Sequence, residues 1–387
     1  MDLTYDPQTE GFRVELREWL ATNLPEEWQQ PGYWERADPD EGFRRRRDWE
    51  AAKARAGYAG IEWPVEYGGR GGTPAMRAVY DEEMARARAP RTVNALGLTY
   101  LAPTVMSIGT PEQKRDIIKP LLHNEVIWCQ GFSEPGAGSD LAAVALRADA
   151  DGDEYVLNGQ KIWTSNAPHA DMMFALVRTS RGNRLHEGLT MLLIDLHSPG
   201  VEVRPLKQMS GASDFGEVFF TDVRVPRNVL GNENGGWAVA MLLLSFERGA
   251  SAMGQYTAFR REVGDIVELA RRVRRNGTSA AQDPLLRQGI ARAVVELECL
   301  RLHSLHVLTE VELGHELGAS SSVTKLQWSE THRDIGDLFT DVAGLSHQTS
   351  EAALRQSFLW SRSETIWGGT SQVQRNIVAE RVLGLPR

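Results

Sequence analysis

The stretch "ADGDEYVLNGQKIWTSN" (residues 150–166) decides the fold of the middle of this chain. Short runs rich in Val, Ile, Tyr and Trp alternate with Asp, Gly and Asn, which is the texture of strands separated by turns. Asn158-Gly159 is a pair that favours a tight hairpin turn, so a turn is expected there. The same texture continues in "ADMMFALVRT" (170–179), "LTMLLIDL" (189–196), "GVEVRPL" (200–206) and "GEVFFTDVRVP" (216–226). The short connections predict an antiparallel sheet or barrel over about residues 123–232.

On either side the texture is helical. In "TPEQKRDIIKPLL" (110–122), Thr110 is placed as an N-cap, Pro111 as the first helical residue and Gln113 as the partner of a capping box. "WPVEYGGRGGTP" (63–74) interrupts the first helical region as a glycine-rich loop. Beyond residue 232 the helices are long, and "DPLLRQGIARAVVELECLRLHSLHVLTEVELG" (283–314) is the longest amphipathic segment. The order helices, strands, helices predicts an α+β chain with an N-terminal helical domain over 1–122, a middle β domain over 123–232 and a C-terminal helical domain over 233–387.

With 387 residues and 42% hydrophobic content the chain can bury a sizeable core. A net charge of -9 argues against a nucleic-acid protein, which usually presents a basic face. No run of about 18 apolar residues predicts a membrane span. "MDLTYDPQTE" has no signal-like basic and apolar regions. Two cysteines, Cys129 and Cys299, give no disulfide framework and fit a reducing cytoplasm.

Several chemistries are weakly supported. His303 and His306 could share a helix face, but no third ligand stands at a metal spacing, so ordinary helix histidines are expected. There is no phosphate-binding GxxxxGK[ST], and "GGRGGT" (68–73) lacks the strand-to-helix setting of a dinucleotide fingerprint. "FRRRRDWE" (43–50) reads as a solvated helix face.

"CQGFSEPGAGSD" (129–140) is richer. Gly136, Ala137, Gly138 and Ser139 could present successive N–H groups to an anion, and Ser133 and Ser139 add hydroxyls. A plain turn is the rival. In "NGQKIWTSN" (158–166), Trp163 reads either as a core residue or as an aromatic wall for a flat cofactor. In "LLLSFERGAS" (242–251), Glu247 follows a nearly all-apolar "GWAVAM" (236–241), and no basic residue shares its helix face. A solvated helix end is one explanation. A base held in a dry pocket is the other, since burial would raise its pKa toward neutrality.

Six motifs occur in the order of the acyl-CoA dehydrogenase family, and together they identify the chain as a member by resemblance. They are "GTPEQK" (109–114), "SEPGAGSD" (133–140), "NGQKIWTSN", "FTDVRVPRNVLGNENGGW" (220–237), "SFERG" (245–249) and "GGTSQVQRNIVAERVLG" (368–384). The resemblance implies an N-terminal helical domain, a middle β-barrel-like domain and a C-terminal four-helix bundle. It implies FAD as cofactor, an acyl-CoA thioester as substrate, a 2,3-enoyl-CoA as product and an electron-transfer flavoprotein as electron acceptor. By motif position, Gln130, Phe132 and Ser133 would line the flavin, Trp163 and Ser165 would lie beside its ring, and Thr370 and Gln372 would contact the rest of FAD. Ser139 and Arg248 would face CoA.

Two departures from the family pattern matter. Many members carry the base in Tyr-Glu-Gly-Thr near the C-terminus, where this chain has Trp367, Gly368, Gly369 and Thr370. Glycine cannot take a proton. Some members place the base on the first long helix of the C-terminal domain, directly before an Arg, and Glu247-Arg248 matches that position. The Gly368 N–H would still donate to the thioester oxygen. Second, the Arg-x-x-Phe-Gly stretch that reaches a neighbour's FAD in homotetramers is missing from "ARRVRRNGTSAAQDPLL" (270–286), and "DVAGLSHQ" (341–348) replaces a later glycine-rich stretch. This combination is similar to one subunit of the heteromeric acyl-CoA dehydrogenases that shorten steroid side chains in actinobacteria. It implies a branched or steroid-derived acyl group and an α2β2 assembly. A non-catalytic partner subunit and a flavin oxidase or monooxygenase on the same fold are the alternatives.

Overall fold

The computed structural model describes residues 4–246, 252–315, 317–345 and 351–386. Six helices come first: α1 (Pro7–Asn23), α2 (Tyr33–Arg36), α3 (Pro39–Arg55), α4 (Pro74–Arg86), α5 (Ala102–Ile108) and α6 (Pro111–Leu122). Seven strands follow: β1 (Trp128–Gly131), β2 (Arg147–Asp151), β3 (Glu154–Ser165), β4 (Met172–Arg178), β5 (Leu189–Asp195), β6 (Val201–Leu206) and β7 (Phe215–Pro226). Then come α7 (Gly236–Phe246), α8 (Ala252–Arg272), a two-residue ribbon of β8 (Arg274–Arg275) and β9 (Thr278–Ser279), α9 (Pro284–Glu312), α10 (Ser321–Ala343), α11 (Ala352–Glu364) and α12 (Ser371–Ile377). The architecture is the α+β order expected. Two compact units divide it. The sheet unit comprises Pro39–Gly71 and Arg91–Glu247, and the helical unit comprises Met1–Asp38, Gly72–Pro90 and Arg248–Arg387.

The sheet unit holds one open, curled seven-stranded sheet in the order β1-β4-β2-β3-β7-β6, with β5 on the other edge of β4. Two pairings depart from the antiparallel expectation, β1 with β4 and, at Arg147 opposite Arg178, β2 with β4. β1 runs parallel to β4, from Trp128 opposite Met172 to Gly131 opposite Ala175. The chain passes through β2 and β3 between them, and that long crossover permits a parallel neighbour.

The central strands are buried on both faces, which explains their continuous apolar runs. Phe174 and Leu176 of β4, with Leu189, Met191 and Leu193 of β5, pack against α5, α6 and α7. Met173, Ala175 and Val177, with Leu192 and Ile194, enter a second core with Tyr155, Leu157 and Val218. The capping box at Thr110 forms as its residues dictate: Gln113 N–H donates to Thr110 Oγ1 at 3.2 Å, and Gln113 Oε1 accepts from Thr110 N–H at 3.1 Å.

Asn158-Gly159 is not a hairpin turn. β3 runs straight through it, and the two-residue turn is Gly152-Asp153, with Asp151 opposite Glu154. Gly152-Asp153 is equally good turn chemistry, with glycine at the first central position, and Gly152 supplies the left-handed residue at φ 59°. Gly159 instead marks a bulge where β3 shifts register against β7. A Cβ on it would meet Leu146 Cδ1 at 3.0 Å, so the close approach of β2 requires glycine.

In the helical unit, α8, α9, α10 and α11 bury a common core that includes Phe259, Ile266, Leu297, Leu300, Trp328, Phe339 and Leu354. A polar network crosses it. His332 of α10 reaches Glu364 at 2.5 Å through Nδ1, and reaches Glu262 at 3.1 Å and Ser357 at 2.7 Å through Nε2. Burial alone would lower the His332 pKa. The Glu262 charge and the carboxylate hydrogen bonds outweigh it and push the group up to about 9. His303 bonds Thr324 Oγ1 of α10 at 2.8 Å, an ordinary inter-helix contact.

Candidate functional site

Trp163 lies on a second bulge in β3. Its ladder with β7 breaks between Lys161 and Thr164. Unbroken alternation would put Trp163 on the inward face shared by Lys161. The bulge gives that inward position to Thr164 and turns the indole out, 60% exposed. Trp163 therefore is not a core residue. Its φ of 57° is a left-handed conformation that costs a bulky side chain roughly 1–2 kcal/mol. Phe215 supports the outward ring edge-on, with centroids 6.4 Å apart. A large aromatic surface held outward in a strained conformation is what a flat ligand would need, and little else recommends it.

The end of β1 is fastened beside this bulge. Ser133 accepts the Ile162 N–H through its carbonyl at 3.0 Å. The structure thus brings Ser133 beside the bulge that carries Trp163, with Ser165 opposite the same Phe215 that supports the indole, while Gln130 lies three residues back on β1 opposite Phe174. Gln130 and Ser133 are half-buried, as is Ser165 opposite Phe215 at the end of β3. Phe132 differs: its side chain is buried and stands edge-on to Phe174 at 6.2 Å, so its ring belongs to the core.

Beneath these residues lies an ion pair that the sequence did not single out. The Lys161 ammonium is fully buried and donates to Glu134 Oε1 at 2.7 Å, to the Leu176 carbonyl at 2.7 Å and to the Phe132 carbonyl at 3.1 Å. Glu134 also accepts from the N–H groups of Ala145 and Leu146, at 2.7 and 2.9 Å. Burial pulls the Lys161 pKa below its ordinary value, and the Glu134 charge opposes that shift. This single side chain ties β1, β3 and β4 together behind the candidate ring surface. Its only sequence signal is a lysine at an inward position of a strand.

The "SEPGAGSD" loop does not offer the unbroken run of N–H groups expected of it. Glu134 and Ala137 exchange two backbone hydrogen bonds of 3.0 Å, so the Ala137 N–H is spent on a tight turn. Ser139 is exposed beyond that turn.

The helical unit carries the second group of predicted residues. Gly368 and Gly369 take left-handed φ values of 63° and 88°. The Gln374 side chain donates to the Gly368 carbonyl at 2.9 Å, and Lys325 Nζ donates to the carbonyls of Gly369 and Glu364, both at 2.7 Å. Thr370 caps α12, accepting from Val373 N–H at 3.2 Å. Gln372 and Thr370 line a small cavity of about 190 Å³ together with Glu330, Arg333 and Arg375. Lys325 has no motif signal of its own and acts on a carbonyl 44 residues away, and Gln374, though inside the last motif, acts on the Gly368 backbone, so neither is legible as functional. Glu247 and Arg248 lie outside the described residues, as does the end of "DVAGLSHQ" from residue 346. Among the described residues no cluster of metal-binding side chains occurs, and no helix is long and apolar enough to cross a membrane.

Comparison with known proteins places these features in a family. The acyl-CoA dehydrogenase N-terminal, middle and C-terminal domain models match residues 6–125, 129–223 and 234–383. The chain is 44% identical over 384 residues to acyl-CoA dehydrogenase IpdE1 of Mycobacterium tuberculosis, covering 98% of each. Among solved structures, a Tcur3481-Tcur3483 steroid ACAD aligns over 100% of both chains at 30% identity with a TM-score of 0.86. The ChsE4-ChsE5 complex from Mycobacterium tuberculosis aligns over 100% of both chains at 30% identity with a TM-score of 0.85.

Proposed function

Because this chain belongs to the acyl-CoA dehydrogenase family, whose members are oxidoreductases acting on acyl-CoA, we propose that it binds FAD and carries out the α,β-dehydrogenation of a branched or steroid-derived acyl-CoA. The observation that carries the FAD assignment is Trp163, an exposed indole held outward at a left-handed bulge next to Ser133 and Ser165. Bound there, FAD supplies the hydride acceptor for the substrate β hydrogen.

The chain's own residues divide the remaining work. Glu247 takes the α proton. An α C–H is a weak acid, so the carboxylate must be held close in a dry site. The Gly368 N–H donates to the thioester oxygen as negative charge develops on it. Gln130, Ser133, Trp163 and Ser165 orient the flavin ring, with the Phe132 backbone between them, while Thr370 and Gln372 hold another part of the cofactor. Ser139 and Arg248 bind CoA. Gly368 in place of a bulky acid leaves room for a large acyl group, which agrees with the likeness to a steroid ACAD. The likeness to the ChsE4-ChsE5 complex supports an α2β2 assembly with a related subunit. An electron-transfer flavoprotein in the cytoplasm takes the electrons onward.

Glu247→Gln tests the reading. The amide keeps the shape but cannot accept a proton. Turnover is expected to fall by at least about 10²-fold with FAD and CoA-ligand binding retained. Near-normal turnover would remove Glu247 from the mechanism. Absence of any acyl-CoA-dependent flavin reduction in the unsubstituted enzyme would favour a non-catalytic partner subunit instead.

A further inference from the structure

The loop from Thr365 to Thr370 is held by two side chains that act on consecutive carbonyls. Gln374 Nε2 donates to the Gly368 carbonyl at 2.9 Å, and Lys325 Nζ donates to the Gly369 carbonyl at 2.7 Å. Lys325 also holds the Glu364 carbonyl at 2.7 Å, so it clamps the loop where it leaves α11 and again before α12. The chain contains no cis peptide bond among its described residues. In a trans peptide the C=O and N–H point in opposite directions. Fixing the Gly368 carbonyl therefore aims the Gly369 N–H away from Gln374. Fixing the Gly369 carbonyl likewise aims the Thr370 N–H away from Lys325.

The N–H groups of Gly368, Gly369 and Thr370 have no acceptor among the described residues. Successive N–H groups around left-handed residues make a concavity suited to negative oxygen atoms. A Cβ on Gly369 would stand 2.5 Å from Gln374 Nε2, so a side chain there would push the clamp aside. Gln374 is buried and its Oε1 has no partner among the described residues, so its fixed amide orientation rests on the donor side.

We propose that Lys325 and Gln374 are positioning residues for the reaction: by holding the Gly368 and Gly369 carbonyls, they fix the N–H groups of Gly369 and Thr370 directly and the loop that carries the Gly368 N–H through them, so that these donors are preorganised for the thioester oxygen and adjacent cofactor oxygens. The inference rests on the reading of Gly368 as a donor to the thioester. Preorganised donors act on the rate because they need no reorientation as charge develops. The clamps act through the carbonyls of the loop.

The test uses the FAD-loaded enzyme with its partner subunit if one is required. Lys325→Met and Gln374→Met keep side-chain length and remove the donors, while Lys325→Arg keeps a charge and donors. Flavin content, the rate of flavin reduction at saturating acyl-CoA and the half-saturating acyl-CoA concentration are measured for each. Each Met variant is expected to retain FAD within about twofold and half-saturation within about threefold, while reduction per bound flavin slows at least about tenfold. Lys325→Arg should recover part of the loss. An unchanged reduction rate per bound flavin in both Met variants would overturn the inference. Failure of both to fold would assign the clamps to stability alone and also overturn it. An unsubstituted enzyme whose flavin no acyl-CoA reduces would overturn the functional reading itself, and the inference with it.

Discussion

The Lys161 ammonium stands 2.7 Å from the Glu134 carboxylate, with both side chains buried in the sheet unit. Neither charge has water to fall back on, and each draws further backbone partners. Lys161→Met fills much of the volume but leaves Glu134 buried and unpaired. Breaking such a pair typically costs about 3–5 kcal/mol. The variant should show that loss in denaturant unfolding, and the double change with Glu134→Leu should regain part of it. A stability within about 1 kcal/mol of the parent would mean the pair is not coupled in this way.

Stability should also fall on the alkaline side through His332. Its folded pKa of about 9 lies above the ordinary 6.5. The folded protein therefore holds this proton more tightly than the unfolded chain does. The resulting stabilisation is fully present below about 6.5 and is lost as pH rises through about 9. The shift corresponds to on the order of 3 kcal/mol. Denaturant unfolding between pH 6 and 10 measures it, and His332→Gln should flatten that part of the curve.

Trp163 allows binding to be separated from folding. Trp163→Gly removes the indole and relieves the left-handed conformation at φ 57°. The flavin-free protein should be as stable as the parent, or more so by about 1 kcal/mol. FAD should dissociate more readily and its absorption spectrum should change, because aromatic contact is lost. Unchanged flavin affinity and spectrum would show that this ring does not face the cofactor.

Gly368→Glu restores the acid found at this position in many family members, but in a left-handed conformation that costs glutamate roughly 1–2 kcal/mol more than glycine. Activity on branched or polycyclic acyl-CoAs should be lost. A panel of straight, branched and steroid thioesters reads the outcome, and full activity on all of them would contradict the proposed site.

Assembly has its own readout. Expressed alone, the chain should retain flavin poorly. Co-expressed with a related subunit, it should form an α2β2 particle with half an equivalent of FAD per chain. Mass and flavin-to-protein ratio decide this. A stable homotetramer with one FAD per chain, active alone, would exclude the heteromer.

The features legible in the sequence are those made by residues near one another in the chain. The Thr110–Gln113 capping box and the long α9 helix depend on contacts within one or two turns, so residue type and spacing specify them. The short apolar runs of β4 and β5 between turn residues likewise announced strands, and the family motifs carried the fold and the candidate site. What the sequence could not decide was where distant segments meet. Asn158-Gly159 and Gly152-Asp153 are both sound turns in isolation, and pairing with β7 selected the second. Trp163 lies on Lys161's side of an ideal strand, and only the bulge against β7 exposes the indole while Lys161 goes inward to Glu134. The parallel placement of β1 beside β4, and the grip of Lys325 on Gly369 from 44 residues away, have no local signature. A hydrogen bond within a turn is fixed by backbone geometry, whereas one across the fold exists only after packing has chosen which buried polar groups must satisfy one another.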